Sequence, residues 1–164
     1  MGLKALVSAS ISGVLSKGMT HGGSIEQKFA FGIGLQFEDG TGAGQASKIF
    51  ASRRSIGASA TDDIDLAGAL VNDLGDAVVL SAVKALLVRH VSGGNAAVIG
   101  LGTNPFLGPL GGTTPTFTVP VGGEMMVVNP SAGGWTVGAG ASDILRIANG
   151  AGSTLVVDVV VVGI

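Results

Sequence analysis

The feature that most constrains this chain is where its charges are missing. From His90 to Gly123 it runs 34 residues without Asp, Glu, Lys or Arg, and the last 75 residues, His90 to Ile164, carry only Glu124, Asp143, Arg146 and Asp158. A globular domain keeps roughly a quarter of its residues charged, most of them facing water. A half-chain this neutral and apolar predicts an outside covered by other protein, and therefore a subunit of an assembly.

Size does not force association. A chain of 164 residues suits one domain, or one domain with an extended arm, and it can bury roughly 70% of its unfolded surface alone. Composition argues for partners instead, with 46% hydrophobic residues, 12% charged residues and 29 glycines. The net charge of −2 gives no basic footprint for nucleic acid, and Arg53-Arg54 is the only adjacent basic pair. The absence of cysteine removes disulfides and thiolate metal sites. Leu155 to Ile164 reaches only about half the 20 apolar residues a spanning helix needs and contains Asp158, so no membrane partner is expected. Lys4 followed by Ala5-Leu6-Val7 and Ser8-Ala9-Ser10 has the outline of a secretory signal, but the apolar stretch is too short and too serine-broken.

Along the chain the period is two. In Lys28 to Glu38, Phe29, Phe31, Ile33, Leu35 and Phe37 alternate with small or polar residues, which predicts a strand with one buried face. Gly32 and Gly34 fall on the opposite face, where glycine often marks close approach of another backbone. Val78 to Val91 predicts a longer strand marked outside by Lys84 and Arg89, with Ala96 to Leu101 returning as a hairpin partner across the Ser92–Asn95 turn. Asn104 to Pro115 is an irregular loop with three prolines. Thr116 to Val121, Glu124 to Val128, Ile144 to Ala148 and Thr154 to Val162 are further strands, and Leu66 to Leu74 is a turn rather than a helix. Short strands with glycine-rich turns indicate an all-β, antiparallel, jelly-roll-like sandwich. Residues 1–24, serine-interrupted and loop-like from Gly18 to Gly23, are expected to form an arm or added strand, with the sandwich spanning 25–164.

The chemistry-bearing residues give no catalytic pattern. Gly40 to Gln45 lacks the spacing of a phosphate loop and leads into strand-like Ile49 to Ser55. Asp62, Asp63 and Asp65 lack a calcium-loop pattern and are expected as solvated turn residues with helix-capping roles. His21 and His90 are the only histidines and no nucleophile elbow is present. Trp135, after Gly133-Gly134, suits a sandwich plug or interface anchor better than a sugar platform. No catalytic residue, cofactor or metal is expected.

Several stretches resemble small virion proteins of tailed bacteriophages. They are Phe37 to Ala46, Arg53-Arg54-Ser55-Ile56 to Asp65-Leu66-Ala67-Gly68, Val83 to Val88, Val121-Gly122-Gly123-Glu124 to Asn129-Pro130, Gly134 to Val137, Asp143 to Asn149, and Asp158 to Gly163. The resemblance implies a non-enzymatic capsid-surface subunit, of the decoration or cement kind. That role carries its own expectations: manufacture in the host bacterial cytoplasm, residence on the virion, contact with the major capsid protein, and a homo-oligomer for which a trimer would suit shell three-fold positions. The alternative is a tail or fibre-associated structural or receptor-binding β-module. Interface candidates are Leu3, Leu6, Ile11, Gly32, Gly34, Phe106, Leu107 and Trp135, with Leu3 to Lys17 as the bridging segment.

Overall fold

The computed structural model describes residues 2–68, 70–112 and 116–164, and these contain strands and no helix. The first two strands are the longest, β1 (Ala5–Gly18) and β2 (Ser24–Asp39). There follow β3 (Gln45–Ala46), β4 (Lys48–Ile56), β5 (Thr61–Asp65), β6 (Leu70–Val71), β7 (Ala77–Val78), β8 (Ala82–Ser92) and β9 (Ala97–Gly100). The last are β10 (Thr116–Val119), β11 (Glu124–Val128), β12 (Trp135–Thr136), β13 (Ile144–Ala148) and β14 (Leu155–Gly163).

Two antiparallel sheets make the body. One has the order β11-β8-β14-β4, with β12 also on β8; the other has the order β10-β9-β13-β5. Their pairing follows one rule. The first four main body strands pair with the last four in reverse order: β4 with β14, β5 with β13, β8 with β11 and β9 with β10. Two further pairings, β14 with β8 and β13 with β9, complete the sheets. Side chains from both sheets meet in one core, among them Phe50, Leu86, Val88, Val157 and Val159 from one and Ile64, Ile99, Leu145 and Ile147 from the other.

β14 explains its own valine run. Leu155, Val157, Val159 and Val161 face this core, while Val160 and Val162 join a second cluster on the outer side of the sheet with Phe37, Ala46 and Ala85. Where the outer face is open to water, β14 carries Asp158 beside Arg53 and Arg89 instead.

Several expectations are corrected. Ala96–Leu101 does not return along the preceding strand; β9 lies in the other sheet, so the Ser92–Asn95 turn carries the chain across the core. That turn needs Gly93, whose φ is +122° and whose Cβ, if present, would sit 2.7 Å from the Thr154 carbonyl oxygen. Lys84 is buried, not on the outside. The Asp62–Asp65 group lies in a strand and caps no helix. Residues 113–115, part of the expected Asn104–Pro115 loop, lie outside the described residues.

The largest correction concerns Phe29 to Phe37. Gly18 pairs with Ser24 and Ala5 with Phe37, so β1 and β2 form one continuous antiparallel ribbon that runs across the expected division at Ser24. Only Phe37 of the alternating apolar set is fully buried; Phe29, Phe31 and Ile33 are exposed. Alternation reports that a strand has an apolar face. It does not report that the same chain covers that face.

Candidate functional site: an amphipathic ribbon

The register of the ribbon sorts its residues by face, because directly opposed residues in an antiparallel pair project to the same side. One face carries the pairs Ala5/Phe37, Val7/Leu35, Ala9/Ile33, Ile11/Phe31, Gly13/Phe29 and Leu15/Gln27, and near the tip Lys17/Ile25. The other carries Leu6/Gln36, Ser8/Gly34, Ser10/Gly32, Ser12/Ala30 and Val14/Lys28. The first is apolar along most of its length; the second is mostly small and uncharged.

At its root the apolar face is covered by the body. Phe37 is fully buried, and Leu3, Ala5, Val7 and Leu35 pack with Ile49, Val128 and Val160 on the outer side of the β4-β14-β8-β11 sheet. A cavity of about 420 Å³ lies between this root and the sheet, lined by Leu6, Val7, Ala85, Leu87, Met126 and Val160 among others. Further out the ribbon leaves the body. Ile11 and Phe31 are each 74% exposed and Ile33 is 70% exposed. The Phe29 and Phe31 rings sit 6.4 Å apart, and the Phe29 ring lies over Gly13, where a Cβ would come within 2.7 Å of it.

Ile11, Leu15, Ile25, Phe29, Phe31 and Ile33 together expose on the order of 700 Å² of apolar surface. The largest patch on an ordinary monomer is roughly 300–600 Å² and is often functional.

Of the residues the sequence singled out, the fold places Leu3, Leu6, Ile11, Gly32 and Gly34 along this ribbon or at its root. Gly34 has open space where a Cβ would project, and at Gly32 a Cβ would rest 3.4 Å from that of Ser10. Phe106 is not available for contact: it is a core residue. Leu107 is half-buried beside it in the loop, and Trp135, on β12, is half-buried and packs against the core. Sequence reasoning missed Ile25, Phe29, Phe31 and Ile33 as surface residues, whereas Leu15 falls within the Leu3 to Lys17 segment it singled out. The signal was present, since two long period-two segments flank the turn-like Gly18 to Gly23, which is hairpin grammar.

Elsewhere the four arginines are each paired with a carboxylate. Arg53 donates to both Asp158 carboxylate oxygens at 2.7 and 2.9 Å, with Arg89 at 3.8 Å, and that hydrogen bonding holds the Asp158 carboxyl below its ordinary value. Arg146 grips Asp63 at 2.5 and 2.6 Å and lowers its pKa in the same way. Arg54 takes Asp62 at 2.6 and 2.8 Å. Of the three β5 carboxylates, Asp62 and Asp63 are thus answered by arginines while Asp65 accepts from Ala67 N at 3.0 Å, and among the described residues no cluster of three or more metal-ligating side chains is found. His90 is buried at the end of β8 with Nε2 3.0 Å from the Asn95 carbonyl oxygen.

Comparison with protein-family models, with characterised proteins and with solved structures finds no match to this chain. Function is therefore read from the ribbon and the body that carries it.

Proposed function

We propose that this chain is a non-enzymatic structural subunit of a tailed-phage particle, a decoration or cement protein of the capsid surface. On this reading it is made in the host bacterial cytoplasm, associates with further copies of itself, and seats on the major capsid protein. The observation that carries the reading is the uncovered apolar face of the β1–β2 ribbon. An isolated two-stranded hairpin is marginal in water. One that also exposes this much apolar surface gains stability when another protein covers it, and a chain built to be covered is a component of an assembly.

The body is read as a jelly-roll β-sandwich and the ribbon as its arm. Reverse-order pairing of four strands with four, rolled into two sheets around one core, supports this, and the jelly roll is an architecture that viral capsid domains use among others. The architecture does not fix a role by itself. The resemblance of the body segments to phage virion proteins favours the capsid surface.

The test is occupancy. Shells lacking this protein are incubated with the full chain or with a variant in which residues 8–34 are replaced by Asn-Gly, joining Val7 to Leu35 through a two-residue turn. Electron cryomicroscopy then counts bound subunits. The full chain is expected to decorate the shell, and the shortened one to keep a cooperative melt but lose its place. Failure of the full chain to bind any shell, or full occupancy by the shortened chain, refutes the reading.

A further inference from the structure

We infer that the ribbon's partner is the same ribbon of other copies, and that three or more of these ribbons close edge to edge into a small antiparallel barrel with their apolar faces inward. This rests on reading the chain as an assembly subunit and names what covers its arm.

Three observations converge. The first is area. The roughly 700 Å² of exposed apolar surface on each ribbon is close to the roughly 800 Å² per partner of a standard stable interface.

The second is the state of the edges. Among the described residues β1 pairs only with β2, and β2 meets β3 only at Glu38 and Asp39, so both outer edges of the ribbon are unpaired for most of their length. Proteins that keep such edges free guard them with bulges, prolines or charges. This ribbon has no register shift, no proline between Ala5 and Asp39, and no charged residue from Ala5 to Ser16 or from Phe29 to Phe37. Its edges are left ready to pair. When ribbons are related by rotation about an axis along their length, β2 of one copy meets β1 of the next antiparallel, and a ring of such contacts has no edge left.

The third is side-chain size. The inward pairs set a small residue against a large one at Ala9/Ile33 and Gly13/Phe29, as the filled interiors of small barrels do. Two ribbons give four strands, too few to enclose Phe29 and Phe31; three give six.

A lipid bilayer is the competing cover, since transmembrane barrels also alternate apolar and polar positions. It fits less well. On this face the freely exposed, uncharged positions run from Phe29 to Ile33 in β2 and from Ala9 to Leu15 in β1, roughly 14 and 20 Å between end residues against the roughly 25 Å apolar band of such barrels. The phenylalanines sit in mid-ribbon, and no aromatic girdle flanks them.

The experiment is native mass spectrometry with light scattering on the full chain, on Phe31→Asp and on Ser10→Asp, with dye release from phosphatidylcholine–phosphatidylglycerol vesicles in parallel. The wild type is expected as a closed ring of three or more copies. Phe31→Asp, which places a carboxylate in the enclosed face, is expected to raise the dissociation concentration at least about 100-fold while the body's melting transition is unchanged. Ser10→Asp, on the opposite face, is expected to keep the ring. A wild-type monomer or dimer, a ring that survives Phe31→Asp or is lost in Ser10→Asp, or wild-type dye release overturns the inference. Shell occupancy reports separately on the functional reading: a monomer that still decorates shells sinks the barrel alone, whereas a ring that binds no shell sinks the capsid role and leaves the barrel standing.

Discussion

Lys84 offers the sharpest test of how the ribbon is anchored. The side chain is fully buried, and among the described residues no carboxylate pairs with it. Its ammonium instead donates to the carbonyl oxygens of Ser131 and Ala132, the latter at 2.5 Å, and approaches that of Gly42 at 3.5 Å. Burial pulls its pKa below the ordinary lysine value. The two loops it joins are the one that leaves β2 at the ribbon's base and the one that leads into β12. They are also tied directly by a hydrogen bond from Gly44 N to Pro130 O at 2.8 Å.

Replacing Lys84 with methionine keeps a long unbranched chain in place and removes the donor. Two close hydrogen bonds to a charged group contribute about 1.5–3 kcal/mol each, and the thioether's easier burial offsets part of their loss. We expect a net destabilisation of about 2–4 kcal/mol, which for a chain of this size lowers Tm by about 5–15 °C. Thermal melts followed by circular dichroism measure it, and hydrogen exchange should show faster opening at Gly44. A Tm within about 2 °C of wild type would refute the reasoning, because it would mean that water serves those carbonyls as well as the lysine does.

The remaining expectations test other parts of the structure. Asp63 and Asp158 have folded pKa values held below 3.8 by Arg146 and Arg53. The stability they contribute is therefore complete above their unfolded pKa and is lost as pH falls through about 4 toward the folded values; Tm should drop over that window, and the drop should be shallower in the Asp63→Asn, Asp158→Asn double variant. Gly134, at φ +56°, leaves room for a Cβ only 2.6 Å from the Val83 carbonyl oxygen, so Gly134→Ala should cost about 2–4 kcal/mol in denaturant titration. Ile99→Ala, in the shared core, should cost about 2–5 kcal/mol. Phe31→Ala, on the exposed ribbon, should shift the body's stability by no more than about 0.5 kcal/mol; a larger effect would place its ring against the body.

The body's strands were the legible part. Glu124–Val128 and Ile144–Ala148 are strands with the bounds that alternation and flanking glycines assign them, and Thr154–Val162 is displaced by one residue. Pairing was less legible. Turn chemistry at Ser92–Asn95 is compatible with a hairpin, but β8 finds β14 and β11 as neighbours, a choice made by burial across the whole chain rather than by the turn. Lys84 was unreadable for a different reason. A lone lysine in an apolar run usually marks the wet face of a strand, and only the two loops folded over it supply the carbonyls that let it be buried. Phe29, Phe31 and Ile33 have the alternation of core residues, and nothing local distinguishes a face the chain covers itself from one it leaves open.

That distinction also changes what the uncharged C-terminal half means. Its neutrality predicts an outside hidden by partners, yet much of its apolar content is already enclosed: Ile99, Val119, Leu145, Ile147 and the valines of β14 line the body's own core. What this half presents to water is largely Gly, Ser, Thr, Ala and Pro, with Leu101, Phe117 and Val121 its exposed large hydrophobics. The ribbon, by contrast, exposes Leu6, Ile11, Val14, Leu15, Met19, Ile25, Phe29, Phe31 and Ile33. Small neutral residues tolerate water without charge, because their backbone amides are solvated directly; a row of phenylalanine and isoleucine does not. The exposed apolar surface is therefore concentrated in the first 39 residues. An assembly built by this chain should respond to substitutions on the inner face of β1 and β2 long before it responds to added charge on the exposed loops of the C-terminal half.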